Sequence, residues 1–158
     1  MATIDRTPDG LSIELEGDEA SLLERLTDEM QLLLGEEPSP NDPVSKRLFP
    51  DAYDDPKDQA QYRDLMGDSL AAGRKAALAK MKESLAARSD DRVVLEGETV
   101  DAWLSTINDM RLAIGTRIDV TEEVMNAELD PNNPQAGALA VLHWLGWVQE
   151  AVLREISN

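Results

Sequence analysis

Cysteine is absent from this chain of 158 residues, which removes disulfide scaffolds, zinc–thiolate centres and thiol redox switching from consideration. Histidine occurs once, as His143, so no pair of imidazoles can share a metal or relay a proton. That residue stands inside an apolar run, where a structural imidazole with a single hydrogen-bond partner is the natural reading. Aromatic residues are scarce at 4%, and basic residues are outnumbered, 15 Lys and Arg against 32 Asp and Glu, for a net charge of -17. Such a field repels polyanions, so neither direct nucleic-acid binding nor attachment to an anionic membrane is expected.

Glycine and serine are not arranged for catalysis either. No phosphate-cradling loop or dinucleotide fingerprint occurs, and Gly67-Asp68-Ser69-Leu70 lacks the second glycine of a nucleophile elbow. Asp51, Asp54, Asp55 and Asp58 cluster before a long helical pattern, where carboxylates complement the helix dipole; their spacing does not fit a calcium loop. The expectation is therefore a protein with no catalytic residues, no cofactor and no metal. The first residues, Met1 to Arg6, lack a basic stretch followed by an apolar one, and a cytoplasmic location is expected. The most apolar run, Ala136 to Val148, is short and interrupted by His143, so no transmembrane segment is expected.

What the chain does contain is helix-forming aliphatic surface. Hydrophobic residues make up 42%, mainly Leu, Ala, Val, Ile and Met, which favour helices over sheets. The length suits one domain over residues 1–158. The expected class is mainly α, a bundle of three long helices plus shorter ones, with a small two-stranded β element.

Leu11 to Glu16 alternates apolar and polar residues as a half-buried strand does, and Arg92 to Gly97 resembles it, Leu15-Glu16-Gly17 recurring as Leu95-Glu96-Gly97. Between them, Leu22, Leu23, Leu26, Met30, Leu33 and Leu34 recur at helical spacing, predicting a helix over 19–34 capped by Asp18 and stopped by Gly35. Three prolines between 36 and 43 mark an exposed acidic linker, with a short helical turn through Leu48 after it and Phe49 plugged into the core. The longest helix is predicted over 57–87. A short one is predicted from Thr121 to Leu129, and a last, nearly all-apolar helix over 135–156 carries Trp144 and Trp147 on one side. That pair is a candidate interface, and the pattern admits a homodimer as readily as a central core helix.

Charge is distributed unevenly, with -12 over residues 1–70, +3 over 71–92 and -8 over 93–158. The basic island consists of Arg74, Lys75, Lys80, Lys82, Arg88 and Arg92. A solvated helix face pairing with acids of the same chain explains it better than a phosphate strip does.

The helix from Val100 onward places Val100, Trp103, Ile107, Met110 and Ile114 on one apolar seam. Asn108, Asp109, Arg111 and Arg117 exceed what that packing requires. Asn108 and Arg111 border the seam, whereas Asp109 and Arg117 lie further round. A half-buried Arg111 calls for a carboxylate within the chain, since an unpaired buried charge is costly. These four residues form either a polar lock between helices or the lip of a partner-binding groove, and the lock is the better structural reading.

Arg47-Leu48-Phe49-Pro50-Asp51-Ala52-Tyr53, the helix from Tyr62 to Leu70, the segment Leu104 to Arg117 and Trp144-Leu145-Gly146-Trp147 together resemble an actinobacterial family of uncharacterised domains that includes the oxidative stress regulator AosR. The resemblance covers nearly the whole chain. It implies a cytoplasmic, non-enzymatic regulatory domain that acts through a protein partner such as a sigma factor or a polymerase component. It also carries an alternative, an adaptor or scaffold linked to Clp proteolysis, which the family's gene neighbourhood suggests. Redox sensing by a cysteine pair, as in AosR, does not transfer to a chain without cysteine.

Overall fold

A computed structural model describes residues 2–35, 43–48, 55–118 and 135–157. In chain order the elements are β1 (Thr3–Thr7), β2 (Gly10–Glu14), α1 (Gly17–Gly35), α2 (Pro43–Leu48), α3 (Pro56–Ala86), β3 (Arg92–Glu96), α4 (Glu98–Arg117) and α5 (Ala136–Ser157). The architecture is mainly α with a small antiparallel sheet, and the two strands expected from alternation pair as β2 and β3. A third strand joins them. The sheet order is β1-β2-β3, with β1 and β2 linked through Thr7-Pro8-Asp9-Gly10. That tetrapeptide is a strong turn signal, but β1 offers only Ile4 as an apolar residue, so alternation alone does not reveal it.

Register places Ile4, Ile13 and Val93 in one row and Arg6, Leu11 and Leu95 in the next. Ile13 and Val93 are wholly buried, as is Leu95, so this face is the core face. α5 packs against β1 and β2, while α3 and α4 pack against β3. Between α3 and β3, Asp90 and Asp91 both adopt positive φ, 52° and 61°, and Ser89 and Arg92 exchange backbone hydrogen bonds of 3.1 and 2.9 Å across them. Aspartate tolerates this left-handed conformation, which closes the tight turn that brings the chain from α3 into β3.

Helix α1 starts two residues earlier than Asp18 predicts. Glu19 reaches back to accept from the Glu16 backbone N–H at 3.0 Å, one half of a capping box, and its other oxygen accepts from Ala2 at 3.1 Å. Asp18 falls inside the first turn. At α3, Asp55 acts as the cap, its side chain accepting from Lys57 N at 2.8 Å. The linker over 36–42, Phe49, Asp51, Asp54 and the expected helix over 121–129 lie outside the described residues.

Buried residues form one continuous cluster drawn from the sheet and every described helix. Trp103 sits at its centre with no exposed surface, and its indole N–H donates to Ser84 Oγ at 2.8 Å. Of the predicted seam, Val100, Trp103, Ile107 and Met110 are buried, and Ile114 is partly buried against the core. Helix α5 is long and apolar enough to cross a bilayer by length and composition alone. Its stripe of Leu145, Val148 and Val152 is instead packed into the common core.

Two glycines are required by the backbone. A Cβ on Gly10 would overlap the carbonyl of Leu95 across the sheet, and Gly97 turns β3 into α4 with φ of 52°. Gly10→Ala should therefore destabilise the protein by about 2 kcal/mol or more, and Gly97→Ala by about 1 to 2 kcal/mol, read as lower urea midpoints at unchanged slope.

Candidate functional site

Helix α4 is enclosed on more sides than its apolar seam implies. α3 and α2 cover one flank and α5 the other, so residues on either side of the seam enter contacts. Thr106, Asp109 and Ala113 are buried on one flank. Leu104 and Arg111 are half-buried on the other.

Asp109 is only 3% exposed. It was expected further round the helix, and the correction follows from the packing of α3 and α2 against that side. Arg74 of α3 forms a close ion pair with it and simultaneously donates from Nη2 to the carbonyl of Leu48, the last residue of α2, at 2.8 Å. A single guanidinium thereby joins three helices. Burial is the larger influence on the Asp109 carboxyl and pushes it above its usual value of 3.8, while the hydrogen bond and charge of Arg74 pull it down.

Arg111 meets a different partner from the one expected. Its Nη1 donates to Gln149 Oε1 of α5 at 2.6 Å, and Gln149 Nε2 donates in turn to the Leu104 carbonyl at 3.3 Å. No carboxylate pairs with it among the described residues. The guanidinium keeps part of its surface in water, so a counter-ion is not obligatory and an amide oxygen suffices. The guanidinium lies against Gly146 of α5, at ordinary contact distance from where a Cβ would stand. Arg111 Nε remains buried without a hydrogen-bond partner among the described residues, as does the indole N–H of Trp144.

Asn108 and Arg117 are exposed. Arg117 borders a cleft of about 20 Å³ beside Met30 and Ile114, room for about one water molecule. Trp144 and Trp147 are partly buried and pack against the core. His143, expected as a structural imidazole with one hydrogen-bond partner, lies exposed on α5. The four polar residues of α4 thus divide into a buried ion pair at Asp109, an amide-bridged cation at Arg111 and two exposed groups. Among the described residues no group of three or more His, Asp and Glu side chains is arranged to hold a metal.

The basic island resolves into ion pairs that the sequence could not assign individually. Besides Arg74–Asp109, Lys80 pairs with Glu98 at 2.7 Å, Lys82 with Asp28 at 2.9 Å, Arg88 with Glu24, and Arg92 with Glu14 at 3.6 Å. Each joins elements distant in sequence. Charge segregation along the chain was the signal for it.

The family model described as a domain of unknown function, DUF2017, matches residues 1–156. The chain belongs to the DUF2017 family. Relatives of this DUF2017 domain include a putative oxidative stress regulator AosR of Mycobacterium leprae, 28% identical over 125 residues, which covers 70% of this chain and 57% of the relative. The oxidative stress regulator AosR of Mycobacterium tuberculosis H37Rv is 26% identical over 147 residues, 84% of this chain and 66% of the relative. The chain thus spans less than two thirds of the length of either relative. No solved structure matches.

Because Asp109 is raised in the fold, the native protein takes up its proton more readily than the unfolded chain does. Its contribution to stability is fullest below 3.8 and is lost as pH rises through the raised folded value. Asp109→Asn mimics the protonated acid and still accepts from Arg74, so it should cost less than about 1 kcal/mol at neutral pH and flatten this part of the pH dependence. Asp109→Ala breaks the Arg74–Asp109 pair and opens a small gap at a buried position between α3 and α4, and should cost about 2 kcal/mol, both read by urea unfolding between pH 4 and 7.

Proposed function

We infer that this chain is a regulatory protein-interaction domain, not an enzyme, that acts on transcription through a protein partner such as a sigma factor or polymerase component. The observation carrying this reading is the similarity to proteins named as oxidative stress regulators, over most of this chain. The chemistry of the site is consistent with it. Asp109, the most deeply buried carboxylate described, is already committed to Arg74, and no hydrogen bond links His143 to Asp109 or Arg111 among the described residues. A surface with a net charge of -17 suits a basic protein face, which long-range attraction would steer towards it. Regulation by this chain proceeds without a thiol switch, since it holds no cysteine.

Affinity purification of the tagged protein from its own cells, with mass spectrometry of what is retained, tests the reading. A sigma factor or polymerase subunit should be enriched at low salt and fade as salt rises. Recovery of Clp subunits in place of these would support an adaptor role in proteolysis and sink the transcriptional one. A duplex-DNA gel shift in low salt should show no retardation by the purified protein.

A further inference from the structure

The sheet has two outer edges, on β1 and on β3, and they are not equivalent. On β3 the peptide groups of Arg92 point outward, because they exchange hydrogen bonds with Ser89 across the turn. Peptide groups alternate along a strand, so those of Val94 and Glu96 point outward as well, and among the described residues no strand pairs with them. The side chains of Arg92, Val94 and Glu96 share the outward face of the sheet, where Val94 is 52% exposed. β3 carries no proline to guard this edge. Next to it, Ser84, Ala87 and Ser89 at the end of α3 line a groove of about 190 Å³ with Arg92 and Val94.

We propose that β3 is the pairing edge for a second copy of this chain, which joins two three-stranded sheets into one continuous antiparallel sheet about a two-fold axis at Leu95. In this register Val94 of each copy lies opposite Glu96 of the other, and each pairing exchanges N–H···O bonds in both directions. Each Glu96 enters the groove of the other copy, diagonal to Arg92 and beside the hydroxyls of Ser84 and Ser89, while the two Val94 side chains cover one another. The strand fits no further, and does not need to. Ser89 already occupies the position beside Arg92, and Gly97, with φ of 52°, turns the chain away just past Glu96.

Charge selects β3 over β1. A two-fold axis on β1 at Asp5 would set that carboxylate directly against its own copy, a destabilising pair. On β3 the cation at Arg92 and the anion at Glu96 are complementary across the axis. Arg92 is available for this, because its contact with Glu14 is long, 3.6 Å, between side chains 57% and 58% exposed. The pairing lies at the sheet edge and not at the Trp144 and Trp147 face of α5.

Sedimentation velocity on the full chain over a wide concentration range tests this. The wild type should show a reversible monomer–dimer equilibrium. Arg92→Glu should weaken it by roughly tenfold, and the double variant Arg92→Glu with Glu96→Arg should restore it, which only a reciprocal contact can do. Val94→Pro removes an outward N–H at an edge position that tolerates proline, so it should abolish dimers while leaving the thermal melt nearly unchanged. A chain that stays monomeric at the highest concentration overturns the proposal. So does a dimer indifferent to Val94→Pro, or one lost on Trp144→Ala and not on Arg92→Glu.

Discussion

Helix α3 ties its neighbours together electrostatically because it and the turn after it carry the cations that reach α1, α2 and α4 in an acidic chain. Lys82 and Arg88 reach carboxylates on α1, Lys80 reaches the start of α4, and Arg74 reaches both Asp109 of α4 and the end of α2. These contacts are unequal. The lysine pairs are solvated and contribute little individually, on the order of 0 to 1 kcal/mol each. Arg74–Asp109 is different, since Asp109 is nearly inaccessible and an unpaired charge there is far costlier than the pair is favourable. Stability comes from Trp103 and the aliphatic cluster around it, while Arg74 penalises alternative packings. Sliding α3 by one turn along α4 would still bury leucines, but it would strand Asp109.

Much of this fold was legible because its helices obey simple periodicity. Leu23, Leu26, Met30 and Leu34 mark α1, and Trp103, Ile107 and Met110 mark α4, with boundaries that proline, glycine and capping residues set to within a turn. Strand β1 was not legible. Its Thr3-Ile4-Asp5-Arg6-Thr7 sequence has one apolar residue, since an edge strand exposed on most sides needs little more. Pairing is a property of the neighbour here, as β2 supplies the partner groups and the Pro8-Asp9 turn delivers β1 to them.

The candidate site was legible in its membership and not in its wiring. Asn108, Asp109, Arg111 and Arg117 stand out because packing does not demand them, yet a helical wheel cannot say how many neighbours surround a helix. With α2, α3 and α5 all against α4, the buried arc widens, and Asp109 moves from the periphery to the interior. The carboxylate–guanidinium pair expected at Arg111 exists, but it is formed by Asp109 with Arg74, thirty-five positions away in sequence. Arg111 is left with Gln149, a residue unremarkable in the sequence.

With its central cations paired internally, a chain of net charge -17 keeps a large excess of acidic groups, and this governs what kinds of contact it can make. Two copies carrying -17 each repel at long range, but the screening length at physiological salt is about 8 Å, shorter than the span of the domain. At the β3 edge the charges that count are therefore the local ones, Arg92, Glu96 and Glu14, and among these a cation faces an anion across the axis. A basic partner experiences the opposite balance, attracted by the whole field from a distance and then held by whatever local geometry it meets. One charge distribution thus favours heterologous partners in the approach and permits self-association only where a cation such as Arg92 remains close enough to the surface to be shared.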